Sequence, residues 1–287
     1  MDTKLFWYQT EAWYTFDVDS RVLTKTQYKP FTERVSEDEI TAAGGTLDAS
    51  NQISPDGRFI VYGHLPKARY ASNVSILDRE TEVSFTSDTS AHNRYTLAVT
   101  WNKDNSAFLL QTELLYEPGY LYHYGYNYTE NIEEITLIDL PILERKPFFG
   151  KEYYLYHPHD ISQDGKTILV EAYGNDRTFI FYNPTNPAES EIMPHGIISE
   201  GEIHDAEFFG NTDSLVAYLQ ETGLYIYDHE TQKSIFIDTG FDLTEIYSPQ
   251  ISLSPHGQYA IINGSASIHF LDLTSYLPDR LLQNIEN

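Results

Sequence analysis

The chain has 287 residues, 41% of them hydrophobic and 14% aromatic, which is ample material for a packed core and excludes a disordered polymer. Forty-three acidic against 18 basic side chains leave a formal charge of −25, which repels phosphate backbones and anionic lipid surfaces, so neither nucleic acid nor a membrane surface is an expected partner. There is no cysteine, so disulfides, thiol catalysis and zinc–thiolate sites are excluded.

The first segment, MDTKLFWYQTEAWY, lacks the basic start and continuous apolar stretch of a secretory signal. No run of about 18 apolar residues occurs anywhere, so a soluble chain without membrane insertion is expected, either cytoplasmic or exported without its signal. Leu5 to Tyr8, Ala12 to Val18 and Val22 to Gln27 read as three strands. The link that follows, residues 27–48, holds Ser36-Glu37-Asp38-Glu39-Ile40, which reads as one helical turn with an acidic N-terminus in a structural insertion.

From residue 53 a unit recurs: Ile53-Ser54-Pro55-Asp56-Gly57-Arg58, Ile161-Ser162-Gln163-Asp164-Gly165-Lys166 and Leu253-Ser254-Pro255-His256-Gly257-Gln258, each followed by an apolar strand. Looser copies begin at Trp101 and Phe208. Pro presets φ for the first turn position, Asp bonds its own backbone and Gly supplies the positive φ that reverses the chain. Between these turns lie strands closed by Asp or Asn, at Asp17, Asp78, Asp139, Asn183, Asp228 and Asp272, in steps of 61, 61, 44, 45 and 44 residues.

Each unit of about 45 residues therefore reads as four short strands, which is the content of one propeller blade. Whole units begin near residues 49, 96, 157, 204 and 248, and the three strands before residue 27 make an incomplete sixth. The expected fold is all-β: a six-bladed β-propeller of four-stranded antiparallel blades, forming a single domain over residues 1–287 with insertions at 27–48 and 113–131. Seven blades is the alternative, with one hidden in the first link. The ring closes either on a three-stranded first blade or by borrowing Leu281 to Ile285.

The Ser-Pro-Asp-Gly turn followed by Lys or Arg and an alternating apolar strand resembles the TolB-type, WD-like β-propeller repeat, over most of Asp48 to Leu282. The resemblance implies architecture more than activity, since such repeats serve binding scaffolds and enzymes alike.

The second insertion holds Tyr116, Tyr120, Tyr122, Tyr124, Tyr126 and Tyr128. The last five alternate, so a strand would carry them on one face. They are a candidate platform for a glycan, a peptide or another subunit, or else a row packed on the neighbouring blade.

His157, His159 and Asp160 start the leading strand of one blade, His204 and Asp205 start the next, and His92 enters an earlier blade at the same level. These six residues form a candidate binding site at a channel mouth. An H-x-H pair on a strand aims both imidazoles to one face, as a divalent metal needs. The His157, His159 and His204 constellation distantly resembles propeller lyases acting on pectin fragments, whose histidine-bound metal would imply the same cofactor here. The competing reading is that His-Asp pairs cap strand starts. There is no G-x-S-x-G elbow, phosphate-cradling glycine loop or H-E-x-x-H helix. The expected function is a non-enzymatic recognition scaffold, without a cofactor, for a protein or glycan partner. Its alternatives are a metal-dependent lyase or hydrolase of sugar polymers and a structural subunit of a larger assembly.

Overall fold

The computed structural model describes residues 4–9, 12–17, 22–26, 54, 56–64, 73–86, 94–102, 105–114, 120–126, 135–142, 145–148, 151–174, 177–194, 197–198, 203–209, 212–246, 249–254, 257–263 and 268–277. Among these residues the only helical elements are three single 3-10 turns. No helix among them is long and apolar enough to cross a membrane.

Six antiparallel sheets form among the described residues, each a meander of strands consecutive in the chain. The first holds β1 (Lys4–Gln9), β2 (Ala12–Asp17) and β3 (Val22–Thr26), and the second β4 (Phe59–His64), β5 (Asn73–Asp78) and β6 (Val83–Thr86). The third is β7 (Arg94–Trp101), β8 (Ala107–Leu114), β9 (Tyr120–Tyr126) and β10 (Thr136–Asp139). The fourth has five strands: β11 (Arg145–Phe148), β12 (Lys151–Ile161), β13 (Ile168–Tyr173), β14 (Arg177–Tyr182) and β15 (Glu191–Ile192). The fifth holds β16 (Ile203–Phe208), β17 (Leu215–Gln220), β18 (Gly223–Asp228) and β19 (Lys233–Ile237), and the sixth β20 (Gln250–Leu253), β21 (Tyr259–Asn263) and β22 (Ile268–Asp272).

The leading strands expected near residues 96, 204 and 248 are β7, β16 and β20. The one expected at 157 begins earlier, at Lys151, because its first residues pair with the added strand β11. The strand near residue 49, the link 27–48 and the segment 281–285 lie outside the described residues.

The repeated turn forms as its chemistry requires. Thr167 N donates to Ser162 Oγ (2.9 Å), Ser162 Oγ donates to Asp164 (2.8 Å), and Gly165, at φ +72°, closes the reversal by donating to Ser162 O. Ser54 and Ser254 receive the equivalent backbone N–H from Phe59 and Tyr259. At Trp101-Asn102 the Asn side chain takes the serine's place, accepting from Ala107 N at 2.9 Å.

Cα proximity divides the chain into Met1–Val99 with Thr112–Pro118, and Thr100–Gln111 with Gly119–Asn287. Within the first unit, Arg58 forks onto the buried Asp78 carboxylate (3.2 and 2.9 Å), tying the start of β4 to the end of β5.

Within the second unit, three apolar clusters alternate with the sheets. Ile168, Val170 and Ala172 of β13 pack with Ala107, Leu109, Tyr122 and Tyr124, while Leu169 of the same strand packs with Ala206, Phe208, Val216 and Tyr218. Leu215, Ala217 and Leu219 of β17 pack with Ile251, Ala260 and Ile262. Strands β13 and β17 are thus apolar on both faces because both faces are covered, which in an antiparallel meander is the stacking of a propeller-like fold.

Of the expected insertion 113–131, residues 120–126 form β9, which lies between β8 and β10 in the third sheet, with Tyr124 opposite Ile138. Tyr122 and Tyr124 are 7% and 0% exposed and belong to the core.

Candidate functional site

The site grows from an irregularity in β12. Leu155 lies opposite Ala172 and His157 opposite Glu171, so Tyr156 is extra; Pro158 lies opposite Val170 and Asp160 opposite Leu169, so His159 is extra. Two bulges in six residues break the strict alternation and re-aim side chains, as bulges beside functional sites do. Proline fits here because its missing N–H suits an irregular ladder. The His157 and His159 rings meet edge to face, 4.8 Å between centroids.

His159 is enclosed, its side chain 3% exposed. Its Nε2 lies 3.5 Å from Glu171 on β13, and its Nδ1 lies 3.6 Å from Asp205 on β16 of the next sheet. Both distances are long for hydrogen bonds, so the attraction is that of an ion pair. Burial alone would push His159 below the usual histidine value, but the Asp205 and Glu171 carboxylates outweigh it and hold it above. Arg177 Nε meets Glu171 at 3.1 Å, and its guanidinium lies over the Tyr173 ring and bonds the Tyr173 hydroxyl. A buried glutamate paired with a guanidinium, and faced by an imidazole, is the arrangement that makes burial of charge tolerable.

His157 behaves oppositely. Burial, and then the charge on His159, push it down to about 4, and the more distant carboxylates of Glu171 and Asp205 only partly offset this. It is therefore a neutral imidazole at neutral pH, with Nδ1 3.0 Å from the Tyr122 hydroxyl.

The remaining carboxylates hold backbone. Asp160 accepts from Phe208 N (2.8 Å), Asp205 from Ile251 N (2.9 Å) and Glu207 from Leu253 N (2.8 Å). Each reaches from one leading strand to the next, across 46 to 48 residues of sequence. A carboxylate accepting a backbone N–H is a charge-assisted bond, about twice as strong as a neutral one.

Of the residues singled out in the sequence, His157, His159, Asp160, Asp205 and Tyr122 come together here. The partner that reaches His159 across the sheets is Asp205. The neighbouring His204 places a buried Nε2 that has no hydrogen-bond partner. Tyr124 donates its hydroxyl to Gly165 O, and Tyr126 is half-buried against the same core. Tyr120 starts β9. His92, Tyr116 and Tyr128 lie outside the described residues. Among the described residues no group of three or more His, Asp or Glu side chains is arranged to hold a metal ion.

Sequence reasoning missed Glu171, Tyr173 and Arg177. Glu171 carried a signal, a lone charge inside the apolar strand Ile168-Leu169-Val170-Glu171-Ala172-Tyr173, which is tolerated only where a cation meets it. It also missed an exposed pair. Tyr154 and Tyr156 are 42% and 50% exposed, Tyr154 lies opposite Tyr173, and Tyr156 meets the Tyr173 ring edge-on at 5.1 Å.

No family model matches the chain, and no curated protein matches it in sequence. Solved structures do. The apo form of prolyl oligopeptidase B from Galerina marginata superposes with a TM-score of 0.52 at 11% identity, over 94% of this chain and 37% of that one. A prolyl endopeptidase gives 0.53 at 11% identity, over 92% and 36%. An oligogalacturonate lyase from Vibrio parahaemolyticus gives 0.44 at 14% identity, over 97% and 88%. The chain spans little more than a third of the length of the prolyl peptidases it matches. At this identity the likeness is one of fold, and the fold is β-propeller-like.

Proposed function

We propose that the chain is a six-bladed β-propeller of the TolB-type, WD-like repeat class that acts as a non-enzymatic recognition scaffold for a protein or glycan partner. The six Asp or Asn turns in regular step, and six meanders of consecutive strands, support the blade count. The observation that carries the scaffold reading is the use of the site's carboxylates: Asp160, Asp205 and Glu207 each bond the backbone of the next leading strand, and His159 and Arg177 compensate Glu171. A site built this way is rigid, and it carries the exposed Tyr154 and Tyr156 on its outer side. Exposed tyrosines present contact area at low conformational cost, which suits them to partner binding.

The test compares the parent chain with a Tyr154→Ser/Tyr156→Ser double variant on a panel of oligosaccharides and peptides. The scaffold reading requires a ligand whose Kd rises at least tenfold in the variant while its mass is unchanged after incubation. A ligand that is cleaved replaces this reading with the enzymatic one.

That second reading rests on His157, a neutral imidazole held against the Tyr122 hydroxyl, since a neutral imidazole can accept a proton at neutral pH. It predicts ligand turnover that falls as pH drops toward 4 and is lost in a His157→Gln variant.

A further inference from the structure

Two strands along each sheet from the His159 network, the fourth and fifth sheets meet again. Phe181 of β14 lies opposite Glu191 of β15, so the two share one face, and Phe181 packs there with Val216 and Tyr227 of the fifth sheet. Tyr227 of β18 and His229, two residues on, present their common face in return. The Phe181 ring lies 6.2 Å from that of Tyr227 and 4.8 Å from that of His229, and those two rings lie 6.2 Å apart. His229 Nε2 is 2.9 Å from Glu191 Oε2, and this partly exposed pair closes the seam on its solvent side.

Behind that pair, two buried polar atoms have no hydrogen-bond partner among the described residues: the hydroxyl of Tyr227, a residue 0% exposed, and Nδ1 of His229. We propose that a single buried water molecule binds in this seam, accepting from the Tyr227 hydroxyl and donating to His229 Nδ1. The proposal does not depend on whether the protein is a scaffold or an enzyme.

The donors and acceptors match. A carboxylate only accepts, so the proton of the His229–Glu191 bond sits on Nε2, and the neutral imidazole then offers Nδ1 as an acceptor. Burial, and then the Asp228 and Glu191 carboxylates, push the Tyr227 hydroxyl up to about 12, so it stays protonated and donates. At hydrogen-bond distance the two atoms would satisfy each other, but they do not make that bond. A water with a lone pair toward Tyr227 and a proton toward His229 spans the gap. Leaving either atom unpaired costs its desolvation, and buried waters are the usual remedy where protein partners are missing. Both atoms are closed off from solvent, which restricts the occupant to the smallest hydroxylic molecule. The order carboxylate, imidazole, water is that of a general base, but no substrate reaches the enclosed Nδ1, so this water joins two sheets and attacks nothing.

High-resolution crystals of the full chain, grown without alcohols or polyols, test this directly. A solvent peak within hydrogen-bond distance of both Tyr227 Oη and His229 Nδ1 is expected, and it should disappear in Tyr227→Phe, which keeps the ring and deletes the hydroxyl. The same variant separates a bridged hydroxyl from an orphaned one. Loss of a bridge should lower the midpoint of thermal unfolding by about 2 °C or more, whereas deletion of an unsatisfied hydroxyl should leave it unchanged or raise it. No peak in the parent crystal, a peak touching only one of the two atoms, a direct bond between Tyr227 and His229, or a midpoint unchanged or raised in Tyr227→Phe would overturn the proposal. Should the variant fail to fold, the parent crystal carries the test.

Discussion

His159 on β12 and Asp205 on β16 face one another at 3.6 Å across two neighbouring sheets, and Asp205 in turn holds Ile251 N of the sheet after that. One buried imidazole thus meets a carboxylate that the chain places 46 residues away. In a chain with so large an excess of acid, part of the negative charge is structural, spent on joining leading strands.

The two histidines should give stability opposite dependences on pH. His159 has a raised folded pKa, so its contribution is complete below the unfolded value of about 6.5 and is lost as pH rises through the folded value. His157 has a folded pKa of about 4, so the folded state loses stability as pH falls from about 6.5 toward 4, by on the order of 3 kcal/mol at 1.36 kcal/mol per unit. Denaturant titrations across pH 4–9 should show the acid limb flattened in His157→Gln and the alkaline limb flattened in His159→Gln.

Glu171→Gln should destabilise the fold by about 3 kcal/mol, because it strips compensation from a buried histidine and from Arg177. The same substitution should lower the His159 pKa, which proton NMR of the imidazole reads directly. An unchanged His159 titration would show that Asp205 alone sets it.

Gly257 adopts φ +70°, and a Cβ there would lie 2.1 Å from the Phe209 ring. Gly257→Ala should therefore cost about 2–4 kcal/mol, from left-handed strain plus displacement of a buried ring. The midpoint of urea unfolding measures it; a shift under about 0.5 kcal/mol would mean that the turn relaxes freely.

Two tyrosine substitutions separate core from surface. Tyr124→Ala should cost about 3–5 kcal/mol, as truncation of a fully buried aromatic does, whereas Tyr154→Ser should stay within about 0.5 kcal/mol. Thermal unfolding of the two variants side by side gives the contrast.

Strand content and turn positions were legible because they depend on local chemistry. Ser, Asp and Gly at fixed offsets make the same reversal at 54–57 and 162–165 wherever the strands go. The candidate site was legible only in part. His157, His159 and Asp205 stood out, but their roles did not, because those roles depend on Glu171 and Arg177 arriving from other strands. The alternating tyrosines were legible only as a pattern: periodicity gives them a common face, but a period of two cannot say whether that face meets water or the next sheet.

The sequence by itself determined that the chain is built from short antiparallel strands joined by repeating turns, since propensity and turn chemistry act over a few residues. Only the tertiary structure decided that the His159 pKa is raised and the His157 pKa lowered. Two residues apart on one strand, they differ because the Asp205 and Glu171 carboxylates meet His159 directly, whereas burial and the neighbouring His159 dominate at His157. Such long-range electrostatics exists only once the sheets have stacked.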